Sequence, residues 1–210
     1  MCACCRRWRR HRNNCIATHP SDFCVPLVAL DAVVEVEGKG GRREIPLDMF
    51  HRLPGNAPDR ESMLEPGEMI VAVRLPAEAA RFAAHARYLK VRERTSYAFA
   101  VVSAASALRI ENATIVEARL ALGGVALRPW RAREAEGILA GKRANAALFT
   151  RAAEATLAQA KASGDNGFKI ELARRIVVRA LTLAAAGTPK RVPALPASPL
   201  ASVSGDVIHA

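Results

Sequence analysis

Aromatic residues are scarce in this chain: two tryptophans, two tyrosines and six phenylalanines make up 5% of 210 residues. That leaves little flat surface for stacking on bases, which counts against a single-strand nucleic-acid binder. Cysteine is absent beyond position 24, and Cys2, Cys4, Cys5, Cys15 and Cys24 are an odd number at irregular spacing. They spell neither a disulfide framework nor two paired C-x-x-C units for zinc, so free thiols in a reducing compartment are expected. Long apolar runs are missing as well. The most apolar late stretch, residues 176–186, is too short to span a bilayer and carries Arg179, so no membrane helix is expected. The basic start runs into Asn13 and Asn14 rather than an apolar segment, which argues against a secretory signal and makes the cytoplasm the default location. Glycine-rich phosphate loops are also lacking. Gly123-Gly124 opens no G-x-G-x-x-G or P-loop pattern and reads as a turn after a strand.

What is present is a chain that is 50% hydrophobic and rich in alanine, long enough for one sizeable core or two small domains. With so few aromatics, that core is expected to be aliphatic and built on close-packed helices. The net charge of +11 is unevenly spread. Arg6, Arg7, Arg9, Arg10 and Arg12 crowd the first fourteen residues without a single acid, leaving the remainder only mildly basic. The head at 1–14 therefore reads as disordered, and a basic disordered head without a folded reader binds polyanions weakly, so no nucleic-acid partner is expected.

The periodicity predicts an α+β chain. A short helix over 22–30 is followed by strands over 32–37 and 42–45 joined by a glycine turn at 38–41. Such a hairpin is marginal alone, so this lobe (residues 15–62) needs something to pack against. Residues 52–68, rich in Pro, Gly and charge, read as a linker. A second domain (63–187) is expected to begin with a strand over 69–75. Strands over 86–93, 98–110 and 114–122 continue it as an antiparallel meander. Three helices follow, over 130–139, 146–162 and 169–186, with Gly141, Gly164 and Gly187 as their stops, giving a three-helix layer on one face of the sheet. Prolines at 189, 193, 196 and 199 mark a flexible tail over 188–210.

The stretch Thr18-His19-Pro20-Ser21-Asp22 carries the most chemistry. Pro20 pushes His19 into an extended or turn conformation, and Ser21 or Asp22 can cap the following helix. A helix start of this kind also suits a phosphate or a polar cofactor edge. His19, His51 and His85 show no shared spacing that points to a metal or a triad, and they read as structural or surface residues. Lys90, taken alone, reads as a solvated strand lysine.

Five segments in order resemble one known family: 15–22, Met63-Leu64-Glu65-Pro66-Gly67-Glu68, Tyr88-Leu89-Lys90-Val91-Arg92, Gly123-Gly124-Val125-Ala126 with Pro129-Trp130-Arg131, and Phe168-Lys169-Ile170-Glu171-Leu172. Together they are similar to the latter part of the FAD-binding subunit of the xanthine dehydrogenase and molybdenum hydroxylase family, in its aldehyde oxidoreductase-like branch. The family's first lobe and glycine-rich loop have no counterpart here, so the resemblance implies an N-terminally truncated subunit: a remnant of the second FAD lobe, then the C-terminal domain. It implies FAD as cofactor, held by Ser21, Asp22, Leu64 and Lys90, with Lys90 close to the flavin ring. It implies electron transfer from iron–sulfur centres through FAD to an acceptor, alongside a molybdenum-cofactor large subunit and a [2Fe–2S] small subunit. Neither a catalytic residue nor a metal ligand is carried over, and Cys15 matches a former cluster ligand. The alternative is a flavin-free docking module or inactive remnant of that subunit.

Overall fold

A computed structural model of the chain describes residues 17–54 and 60–189. The arginine-rich head, Cys15 and the tail from residue 190 lie outside the described residues, so the expectations placed on them are not taken further.

Helix α1 (Cys24–Ala29) leads into strands β1 (Val33–Gly38) and β2 (Gly41–Pro46), and a single-turn helix α2 (Leu47–Phe50) closes the hairpin. The hairpin turn is tight, with Gly41 at φ 99° where a side chain would be strained. Burial alternates along β1, where Val34 and Val36 point into the core while Glu35 stays on the other face. The third strand of this sheet is β3 (Met69–Arg74), antiparallel to β1, giving the order β2-β1-β3. The strand expected to open the second domain's meander therefore belongs to the first sheet instead. Its short apolar run encodes a strand without encoding a partner, and the salt bridges from Arg74 to Glu35 and Glu44 help to fix the actual pairing.

A 3₁₀ segment (Ala77–His85) crosses to the second sheet, in which β4 (Ala86–Val91), β5 (Val102–Glu111), β6 (Thr114–Gly123) and the two-residue β7 (Trp130–Arg131) run in that order. Trp130 and Arg131 thus end the sheet rather than begin a helix, and helix α3 starts only at Arg133 (Arg133–Leu139). A short β8 (Lys142–Arg143) pairs with the start of β6. Helices α4 (Ala146–Leu157) and α5 (Phe168–Ala185) complete the layer. The second helix stops at Leu157, well before Gly164; Leu157 still packs on the core, and none of residues 158–167 is buried. Gly141 and Gly187 do follow their helices in left-handed conformation, at φ 71° and 107°.

Both faces of the second sheet are covered. Leu89, Val91, Val102, Ala104, Leu108, Leu120 and Leu122 meet the buried stripe Ala173, Ile176, Val177, Ala180, Leu181 and Ala184 of α5, together with α3 and α4. On the opposite face Tyr88, Ala105 and Ala121 join the core of the first lobe with Val25, Val28, Val34 and Val36. The small lobe thus has the packing partner that a lone hairpin requires. Close approach is possible because Gly123 has no side chain: a Cβ there would lie 2.5 Å from both Ser103 Oγ and Val25 Cγ2.

Candidate cofactor site

The sheet alternation that buries Leu89 and Val91 toward the helices turns Tyr88 and Lys90 toward the first lobe. The turn before α1 meets them there. Asp22 Oδ1 accepts from the Tyr88 hydroxyl at 2.7 Å, and Asp22 Oδ2 from Lys90 Nζ at 2.5 Å. These bonds cross 66 and 68 residues of sequence, so the cluster joins the two lobes. The pair is half-shielded from water, with side-chain exposures of 21% for Lys90 and 38% for Asp22, so the attraction is stronger than on an open surface. Burial, aided by the neighbouring carboxylate, pushes the Tyr88 hydroxyl above its ordinary pKa, which keeps it a donor.

Neither candidate cap occupies the N-cap of α1, which is Phe23 without a side-chain cap, but Ser21 sits just ahead of it and still bonds the helix start. Its hydroxyl accepts from Cys24 N at 3.2 Å, leaving the Asp22 carboxylate free to face the sheet. The turn is further anchored by a backbone bond from His19 N to Ala126 O, which uses the segment just after Gly123-Gly124. Gly124, at φ 72°, lies so close to Ala100 that a Cβ would come within 2.8 Å of its carbonyl oxygen. Leu64 is half-buried against the first-lobe core that also receives Tyr88. Ser21, Asp22 and Lys90 are thereby gathered in one place, with Leu64 on the same core. Tyr88 is a partner that sequence reasoning missed, although its position two residues before Lys90 on a strand puts both on one face.

A cleft of about 590 Å³ lies beside this cluster, lined by Thr18 to Ser21, Phe50 to Arg52, Glu61 and Leu127 among others. His19 and His51, which showed no meaningful spacing in sequence, meet on its wall with their Nε2 atoms 2.9 Å apart. Burial lowers both imidazole pKa values; for His51, to which the charges of His19 and Arg128 add, the value falls to about 4.

The donor set fits a flavin cofactor in kind. Asp22 offers remaining acceptor lone pairs for hydroxyl groups, and Lys90 offers N–H donors beyond the one given to Asp22, in a shielded corner between two lobes. Fold and site together define a two-lobed α+β module of the flavoprotein type. Residues 13–78 match the FAD binding domain in molybdopterin dehydrogenase, and residues 87–184 match the CO dehydrogenase flavoprotein C-terminal domain. The chain belongs to this family of FAD-binding subunits, and FAD is its cofactor. It is 43% identical over 173 residues to the aldehyde oxidoreductase FAD-binding subunit PaoB of Escherichia coli (strain K12), a match covering 82% of this chain and 50% of that subunit. It is 30% identical to the carbon monoxide dehydrogenase medium chain of Hydrogenophaga pseudoflava over 79% of this chain and 57% of that one. A solved structure of carbon monoxide dehydrogenase from the same organism superposes with a TM-score of 0.67, covering 79% of this chain and 59% of that chain. The chain thus spans between half and three-fifths of these relatives' length. Among the described residues, no helix is long and apolar enough to cross a membrane.

Proposed function

We propose that the chain supplies the second FAD lobe and C-terminal domain of an electron-transfer subunit in a molybdenum hydroxylase, carrying electrons from iron–sulfur centres through FAD to an acceptor. The observation that carries this reading is the Asp22–Lys90–Tyr88 cluster, because it brings two family motifs together at the seam between the lobes. When bound, FAD supplies the electron store. Ser21 holds the turn that presents Asp22, the Asp22 carboxylate accepts from hydroxyl groups of the cofactor, and Leu64 contributes apolar contact. The Lys90 ammonium, in a low-dielectric corner, favours the more negative, reduced form of the ring. The partners in this reading are a molybdenum-cofactor subunit and a [2Fe–2S] subunit, as the family resemblance implies; the name of the carbon monoxide dehydrogenase structure mentions the molybdenum cofactor. Co-purification with those two subunits tests it: a yellow complex with stoichiometric flavin is expected. A stable but colourless complex would instead mark the chain as a docking module. In the holo complex, Lys90→Ala should retain the fold and slow flavin reduction or make it less favourable, read as a lower flavin potential by spectroelectrochemistry. Unchanged flavin kinetics and potential would remove Lys90 from the role.

A further inference from the structure

We propose that His19 Nε2, His51 Nε2 and Cys24 Sγ form a binding site for a single divalent transition-metal ion, best matched by Zn²⁺, with its fourth position open to the cleft. The two Nε2 atoms are 2.9 Å apart, and one ring nitrogen of each histidine and Cys24 Sγ all lie within 4.8 Å of one another. They arrive from the turn before α1, from the first residue of α1 and from the residue after α2, so helical or strand spacing does not bring them together. This inference is independent of the flavin reading.

The two rings hold a single proton between their Nε2 atoms, at the position an ion would take. Two neutral imidazoles with Nε2 atoms 2.9 Å apart share one proton: one ring donates from Nε2 and the other accepts. The donor ring then has a bare Nδ1 and the acceptor ring an Nδ1–H. Both Nδ1 atoms are buried without a hydrogen bond of normal geometry. The Leu47 backbone lies near His51 and stabilises its protonated form, yet falls short of that geometry. An ion between the Nε2 atoms replaces the shared proton and leaves both Nδ1 atoms protonated, that of His19 still without a hydrogen-bond partner. The proton of His51 then points to a backbone acceptor, the arrangement that usually orients a metal-bound histidine.

Distances and ligand softness agree. Zn–N bonds of about 2.0–2.1 Å and a Zn–S bond of about 2.3 Å in a tetrahedron separate the nitrogens by roughly 3.3 Å and nitrogen from sulfur by roughly 3.6 Å. The rings need to part by only a few tenths of an ångström, and the thiol to close by an ångström or so, within reach of side-chain rotation. A two-nitrogen, one-sulfur set selects Zn²⁺ or Co²⁺ over the hard cations Mg²⁺ and Ca²⁺. Charges nearby act both ways. Glu61 on the cleft wall favours a cation at His19, while Arg128 opposes one at His51, as do Arg52 and Arg60 on the wall, the last already paired with Glu65. Binding releases the thiol proton to solvent and ties the turn that carries Ser21 and Asp22 to the end of α2.

The test uses the full chain with Cys2, Cys4, Cys5 and Cys15 each changed to serine, so that Cys24 is the sole thiol. Anaerobic titration with Co²⁺ should give one saturable equivalent, a thiolate-to-cobalt charge-transfer band and displacement by Zn²⁺. The band should vanish in Cys24→Ser and in His51→Gln, with circular dichroism confirming that each variant folds. Imidazole ¹⁵N resonances of the parent protein require no variant: Zn²⁺ should shift Nε2 of two histidines and no others. Absence of binding at micromolar Co²⁺, a band that survives Cys24→Ser, or unmoved imidazole resonances would each overturn the proposal.

Discussion

Glu136 is a carboxylate almost entirely out of water, and its partners show why it is there. Its Oε1 accepts from Leu120 N at 2.7 Å, and its two oxygens take the Arg131 guanidinium, which also reaches Val28 O at 2.6 Å and Asp31 at 2.8 Å. One ion pair thus fastens α3, β6 and the end of α1 together. Glu136→Ala leaves a buried cation with fewer partners and an orphaned N–H, and should cost about 3–5 kcal/mol. Glu136→Gln, which keeps an acceptor for Leu120 N, should lose less. Urea midpoints at unchanged slope would report both. On the surface, Arg43 hydrogen-bonds Glu68 and, with the Glu65 backbone N–H, depresses its pKa to about 2 from an ordinary 4.5. A depressed carboxylate stabilises the fold fully above the ordinary value, and that contribution is lost as pH falls from about 4.5 towards 2. Arg43→Gln should flatten this limb of the stability–pH curve and return the Glu68 NMR titration towards 4.5; an unshifted titration would contradict the pairing. Legibility at this scale was uneven. Asp22 and Lys90 stood out through family motifs, whereas the meeting of His19 with His51 is a property of the folded chain, since 32 residues separate them.

At the level of elements, periodicity located most helices and strands, and it failed where an element's identity depends on its neighbours. Strand β3 is exposed along its whole length, so no burial pattern in its sequence distinguishes pairing with β1 from pairing with β4. Trp130 and Arg131 look helical in sequence, but their pairing with Leu122 and Ala121 draws them into the sheet. Gly123-Gly124 read as a plain turn, yet its first glycine sets how closely α1 approaches the sheet. Gly123→Ala should force Val25 and the Ser103 hydroxyl apart and destabilise by about 1–3 kcal/mol, measured by denaturant unfolding. A fully tolerated alanine would mean that α1 is not tightly seated against the sheet.

Across the whole molecule, the second sheet lies between two cores and contributes residues to both. Ala105 and Ala121 of the second sheet sit in the core of the first lobe, and Arg128 and Arg133 reach across to Asp48. Far-ultraviolet circular dichroism and tryptophan fluorescence should therefore unfold together in one transition, and separate midpoints would show independent lobes. The α+β class, the antiparallel pairing and the three-helix layer were legible because aliphatic stripes and glycine stops encode them locally. The seam where the lobes meet was legible only through family motifs, because a bond spanning 68 residues leaves no local pattern. That seam is where FAD is proposed to sit. The most direct measurement is the absorbance spectrum of the purified chain after incubation with FAD and gel filtration, alongside Asp22→Asn. The account predicts flavin bands co-eluting with the protein and diminished in the variant; protein that elutes folded and colourless, or a variant that retains flavin as well as the parent, would contradict it.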